Sequence, residues 1–274
     1  MLMNPRGYKN LRLKSVMALA LVLVLTVAAS AHETWLAARQ SSVAVGQVIQ
    51  LDLTSGMSFP TLDYAIKPER VNVASYRLAG KTNRLRGFLS GPHSLQLRAQ
   101  PNANGVATFW VELKSNSLEL TPKLVEEYLD EINASPAIRE RWANSGPSKR
   151  WREIYTKHAK TFVSVGDAST DNSWSQPVGM ALEIVPEKNP TTLRAGDDFS
   201  IRVIKNDAPL ADFSIGIMCE GSKASFQKTD AEGRVTFPLA RSGKCLLSGT
   251  YLRPSTQTNI EWESDFTTLA IHVR

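Results

Sequence analysis

Apolar residues recur at every second position through most of this chain, and at every third or fourth position only through its middle. From Val43 to Leu53 the alternation places Ile49, Leu51 and Leu53 on one face and Gln50, Asp52 and Thr54 on the other, which predicts a half-buried strand. Thr34 to Ala38 is a short extended segment anchored by Trp35 and Leu36. Val71 to Leu78, Leu85 to Leu89 and Leu95 to Ala99 are further strand candidates. After the turn signal Pro101-Asn102-Ala103-Asn104-Gly105, Val106 to Leu113 is apolar on both faces, as in a strand covered on both sides.

The period changes at Thr121. Thr121-Pro122 reads as a helix start, with an N-cap threonine and proline at the first helical position. Leu124, Tyr128, Leu129 and Ile132 follow at helical spacing. Ala137 to Ala143 predicts a second helix. Lys149 to Ala159, dense in Lys and Arg and striped with Trp151, Ile154 and Tyr155, predicts a third. Thr161 to Val165 returns to strand composition. Gly166 to Gly179 is polar and reads as a domain boundary. Beyond it come short strand patterns at regular spacing: Ala181–Val185, Phe199–Ile204, Phe213–Cys219, Ala224–Lys228, Val235–Leu239, Lys244–Tyr251 and Phe266–Val273. The expected fold is mainly β. Residues 32–176 form one β-sandwich with a helical insertion at about 121–160, and residues 177–274 form a second, immunoglobulin-like or transthyretin-like sandwich.

Residues 1–31 do not fit that scheme. Arg6, Lys9, Arg12 and Lys14 precede an apolar run from Val16 to Val27, and Ala29-Ser30-Ala31 is a small-x-small cleavage pattern. The run is shorter than the roughly 20 residues needed to span a bilayer. These features predict a signal peptide, export to the periplasm, and a soluble chain after cleavage. They also change the charge. Four of the 32 basic residues lie in the signal, leaving 28 against 26 acidic ones, so the formal +6 falls to +2. That removes the electrostatic case for a nucleic-acid partner. In an oxidising compartment the two cysteines, Cys219 and Cys245, predict one disulfide, with two buried thiols as the alternative.

Cleavage after Ala31 would make His32 the first residue. Its α-amine and imidazole Nδ1 could then chelate one ion in a six-membered ring, a nitrogen donor set suited to copper(II) or nickel(II). The α-amine titrates near about 7.7–8.0, so metal displaces its proton at little cost at neutral pH. Further donors would come from His158, placed beside Tyr155 on the expected basic helix, or from His93 in the Gly91-Pro92-His93 loop. His272 alternates against Leu269, Ile271 and Val273 and points away from the core. No His-Glu-x-x-His, Cys-x-x-Cys, Gly-x-Ser-x-Gly or Gly-x-x-x-x-Gly-Lys pattern occurs, so nothing marks a zinc, hydrolase or nucleotide site.

Several segments resemble those of DUF4198, a family of bacterial exported proteins that includes periplasmic proteins linked to nickel and cobalt uptake. They are Ala31-His32-Glu33-Thr34-Trp35-Leu36, Ser55-Gly56-Met57-Ser58-Phe59-Pro60, Tyr155 to Gly166, Leu182-Glu183-Ile184-Val185-Pro186 with Asn189-Pro190 and Gly196-Asp197, Thr229-Asp230 with Gly233-Arg234, and Trp262-Glu263-Ser264. The resemblance implies a metal-related role in the envelope. The leading expectation is a non-enzymatic metal-binding accessory for nickel, cobalt or copper, with His32, His158 and His93 as ligands and a membrane metal transporter as partner. A metal-free carbohydrate- or protein-binding module is the alternative. A copper oxidase with a histidine brace is the third reading, and it needs a second histidine facing His32.

Overall fold

In a computed structural model the chain is described over residues 32–147 and 149–274; the expected signal, residues 1–31, lies outside the described residues. Strands β1 (Glu33–Ala38), β2 (Ser42–Val43), β3 (Ile49–Gly56), β4 (Tyr64–Ala65), β5 (Val71–Leu78), β6 (Lys81–Arg84), β7 (Leu89–Ser90), β8 (Leu95–Ala99), β9 (Gly105–Leu113) and β10 (Asn116–Leu120) come first. Helices α1 (Pro122–Glu131) and α2 (Pro136–Ala143) follow. The remainder is β11 (Trp151–Val165), β12 (Leu182–Pro186), β13 (Asp198–Lys205), β14 (Ala208–Pro209), β15 (Ser214–Cys219), β16 (Ser225–Lys228), β17 (Arg234–Pro238), β18 (Gly243–Pro254) and β19 (Trp262–Val273). The protein is mainly β, as its periodicity predicts. Among the described residues no helix is long and apolar enough to cross a membrane.

A central sheet runs β16-β15-β18-β19-β11-β9-β5-β6 and draws strands from both sides of the polar 166–179 segment. Its seam is the parallel pairing of β11 with β19, in register from Glu153↔Trp262 to Thr161↔Ala270. Each face of this sheet carries its own core. On one face Ala107, Phe109, Val111 and Val163 pack against Leu36, Leu51, Leu53 and Leu97 from the sheet β1-β3-β8-β7. On the other, Val106, Phe162, Leu247, Leu269 and Ile271 pack against Ile184, Phe199, Ile201 and Phe237 from the sheet β12-β13-β14 and its partner β17. Successive side chains of a strand point to opposite faces, so one strand can serve both layers. The doubly apolar pattern of β9 reflects that double burial.

Helices α1 and α2 cover the end of the first face. Trp142 and Trp262 flank Trp151, the former edge-on at 5.6 Å and the latter stacked at 4.7 Å. Thr121 is the N-cap of α1 and Pro122 follows it, as read from the sequence.

The third expected helix does not form. Residues 149–159 belong largely to β11, so the helical insertion ends with α2 and does not reach 160. Arg150 stays exposed and Lys149, Arg152 and Lys157 are partly covered, but other polar groups of the strand are buried. Glu153 is fully enclosed and accepts from the Tyr128 hydroxyl (2.9 Å), the Trp151 indole (2.8 Å) and Ser264. Lys160, also enclosed, pairs with Glu183 and donates to the Ile184 carbonyl at 2.9 Å. The polar 166–179 segment is likewise tied down. Arg77 donates to the carbonyls of Pro177 (2.9 Å), Ser173 (2.7 Å) and Gln176 (2.5 Å).

Cys219 and Cys245 form a disulfide between directly paired positions of β15 and β18.

Candidate functional site

The front of β1 is fixed by its neighbours. Trp35 is fully buried, meets Phe59 edge-on at 5.5 Å, and packs on Leu246 and Ala270 of the central sheet. The Thr34 carbonyl accepts from Thr268 at 2.7 Å, and the Glu33 carbonyl from Ser55 at 3.1 Å. His32 therefore leaves a rigid strand end. Its carbonyl accepts from the Lys157 ammonium, and its ring meets the Tyr64 ring edge-on at 5.4 Å. Burial pushes the Lys157 pKa down to about 8, against the pull of the Glu33 carboxylate. Burial also raises the Glu33 carboxyl, which hydrogen-bonds Ser248.

His93 reaches the same segment from the other side. Its Nδ1 lies 3.1 Å from the Asp63 carbonyl. A carbonyl only accepts, so Nδ1 carries the proton and the neutral ring keeps its lone pair on Nε2. The Thr54 hydroxyl locks this corner from between two carbonyls, its one proton directed to His93 at 2.7 Å with Tyr64 at 3.1 Å. The Asp63 carboxylate accepts from the Met57 amide at 3.3 Å and lies over Gly56, where an added Cβ would come within 2.3 Å of its oxygen. His32 and His93 thus border one two-residue segment, Asp63-Tyr64.

His158 is elsewhere. Alternation along β11 sends Lys157 toward β1 and His158 through to the opposite face. There it is 1% exposed, with Nδ1 3.5 Å from Glu112 and Nε2 3.6 Å from Asp265. Burial disfavours its charged form, but the nearby carboxylates of Asp265 and Glu112, just beyond ordinary hydrogen-bond reach, outweigh that and raise its pKa. The Glu112 carboxyl is held low first by His158. Asp265 is shifted down despite its burial, by His158 and by Lys205 at 2.9 Å, and it also accepts from Arg253 at 2.8 Å. This cluster is an imidazole clamped between carboxylates, and its ring nitrogens face away from β1. The expected pairing of His32 with His158 is not formed. Among the described residues no three His, Cys, Asp or Glu side chains converge to hold a metal. His272 is exposed and paired across the strands with Lys244.

Asp63, Tyr64 and Lys157 meet His32 and His93 only through tertiary pairing, and no spacing in the sequence marks them. Fold and edge together define a layered β-sandwich protein with a histidine-bearing front corner. The chain belongs to the family described as a domain of unknown function, DUF4198, whose profile matches residues 29–252. No curated protein matches the chain. Among solved structures it is similar to fibronectin(III)-like modules of Clostridium thermocellum CbhA, at 8% identity and a TM-score of 0.19, covering 87% of this chain and 94% of that one. It is also similar to murine CEACAM1b, at 10% identity and a TM-score of 0.20, covering 88% of this chain and 99% of that one.

Proposed function

We propose that the exported chain is a binding protein for a transition-metal ion, nickel, cobalt or copper, which it carries in the periplasm for a membrane transporter. In this reading the ion is cargo, held by the α-amine and Nδ1 of His32 after cleavage and by Nε2 of His93. The observation that carries the reading is the bond from His93 Nδ1 to the Asp63 carbonyl. Metal-binding histidines characteristically donate their second ring nitrogen to a carbonyl or carboxylate, which orients the ring and leaves the other nitrogen basic. The edge-on packing of His32 against Tyr64 puts the second imidazole at the same corner. The lack of a third converging His, Cys, Asp or Glu side chain among the described residues is compatible with this donor set, because the third nitrogen is a terminal amine. The role is one of binding and release rather than catalysis.

The test is calorimetric titration of copper(II) and nickel(II) into protein beginning at His32. An added residue ahead of His32, or His93→Ala, should each weaken binding by more than about tenfold. His272→Gln should leave it unchanged. Affinity equal to that of the unmodified protein in either the blocked or the His93→Ala protein would overturn the reading.

A further inference from the structure

We propose that the cleft where the end of β1 meets β18 and β19 is a binding site for a small carboxylate with an apolar body and a hydrogen-bond donor. The cleft encloses about 330 Å³ and lies between the β1 sheet and the second half of the central sheet. Ligand sites favour such junctions, with mostly apolar linings and a few placed polar groups. Its apolar side is Phe59 and Ala270, both buried at the edge of the Trp35 cluster. Its rim is cationic. Lys244 and His272 stand opposite each other across β18 and β19, and Lys244 makes no ion pair among the described residues. The other cation on the rim, Arg39, is already neutralised by Asp52 through two contacts of 2.7 and 3.0 Å. The rim therefore has one ammonium without a contacting counter-ion beside an imidazole, its charge felt by the more distant Asp52 carboxylate. Beside its wall the Gln40 side-chain oxygen is enclosed and has no hydrogen-bond partner, so a donor in the cleft meets it once the Gln40 side chain turns inward. Such a group is costly unless something donates to it. A carboxylate at Lys244 and His272, a ring or short chain against Phe59, and a hydroxyl to a Gln40 side chain turned into the cleft would satisfy all three features. The cleft shares none of the residues of the His32–His93 corner, so the two proposals stand separately.

The probe is mandelate, which has a carboxylate, a hydroxyl and an aromatic body. The measurement is NMR titration of the processed protein, following the His272 imidazole and the Phe59 ring. Mandelate should shift both saturably and raise the His272 pKa, which burial, Lys244 and Arg274 now hold down. Phenylacetate, lacking the hydroxyl, should bind more weakly, and benzyl alcohol should leave His272 unmoved. Lys244→Gln should weaken mandelate by about tenfold, the effect of one charge-assisted contact, while Lys223→Gln at a remote surface should not. If Lys244→Gln fails to fold, His272→Gln serves, read at Phe59. No saturable shift with mandelate would overturn the proposal. So would equal binding of benzyl alcohol, or undiminished binding in the folded Lys244 or His272 variant.

Discussion

The Lys160 ammonium lies against the Glu183 carboxylate with both side chains enclosed, 1% and 0% exposed. This pair ties the central strand β11 to β12 of the facing sheet. Glu183 does more than neutralise the lysine, because its oxygens also accept from the amides of Val178, Gly179 and Met180. The two residues should therefore not be equivalent. Removing one member of a buried pair costs about 3–5 kcal/mol, because the other charge stays buried and unmatched. Lys160→Met should fall in that range. Glu183→Leu should cost more, since it also strands three backbone donors. Urea unfolding of the two variants checks the order, and equal losses would show that the amide contacts contribute nothing.

The Glu112–His158–Asp265 cluster predicts a pH dependence with a definite sign. The folded pKa of His158 is raised above its ordinary 6.5. A group shifted this way contributes stability that is fully present below the unfolded pKa and is lost as pH climbs through the folded one. Glu112 and Asp265 are shifted down, so their contribution is present above about pH 4 and fades as acid protonates them. The difference in unfolding free energy between wild type and His158→Asn should thus be largest near about pH 5–6 and shrink as pH climbs through the raised folded pKa. Lys205 and Arg253 also meet Asp265, at 2.9 and 2.8 Å. A difference that stays flat from pH 5 to 9 would sink the account.

The Cys219–Cys245 bond closes a loop with a sequence separation of 26. Loop-closure entropy for that length gives a stabilisation of about 3.5 kcal/mol. The double variant Cys219→Ala, Cys245→Ala should unfold at a lower temperature than wild type under oxidising conditions. Adding reductant should bring wild type down toward it and leave the variant unmoved.

What could be read from the sequence follows from where each buried group finds its partner. Val71–Leu78 and Leu95–Ala99 form strands at the predicted bounds because alternating apolar residues need only a covering layer. Strand β11 was hidden because its buried positions include Glu153, Lys157, His158 and Lys160. Their charges are matched by groups that are distant in sequence, 23 residues away for Glu183 and 125 for the His32 carbonyl. Without those partners in view, the run of charge with Trp151, Ile154 and Tyr155 fits a solvated helix. The same distance separates the two donors expected beside His32: His158 is enclosed on the opposite face, whereas His93 lies in a loop and is oriented by a backbone carbonyl 30 residues away.

Gly56 offers a way to disturb the front corner without touching either histidine. It pairs with Glu33 across β1 and β3, and a Cβ at this position would lie 2.3 Å from the Asp63 carboxylate and 2.9 Å from the Trp35 ring. Trp35 is packed against Phe59, Leu246 and Ala270 and cannot yield, so the Asp63 side chain has to swing outward and any residual strain falls on the Asp63-Tyr64 segment. That segment positions both imidazoles, His93 through its carbonyl and His32 through the Tyr64 ring. Overpacking of this kind costs about 1–3 kcal/mol in stability. Gly56→Ala should therefore lower the melting temperature modestly and also reduce copper(II) or nickel(II) affinity in protein beginning at His32. By contrast, Gly46→Ala, in an open turn with nothing within 4 Å of the new Cβ, should affect only stability, through its positive φ of 82°. If Gly56→Ala destabilises the fold but binds metal as tightly as wild type, then the Asp63-Tyr64 segment does not set the ligand geometry. The corner would then be only the place where β1 is anchored.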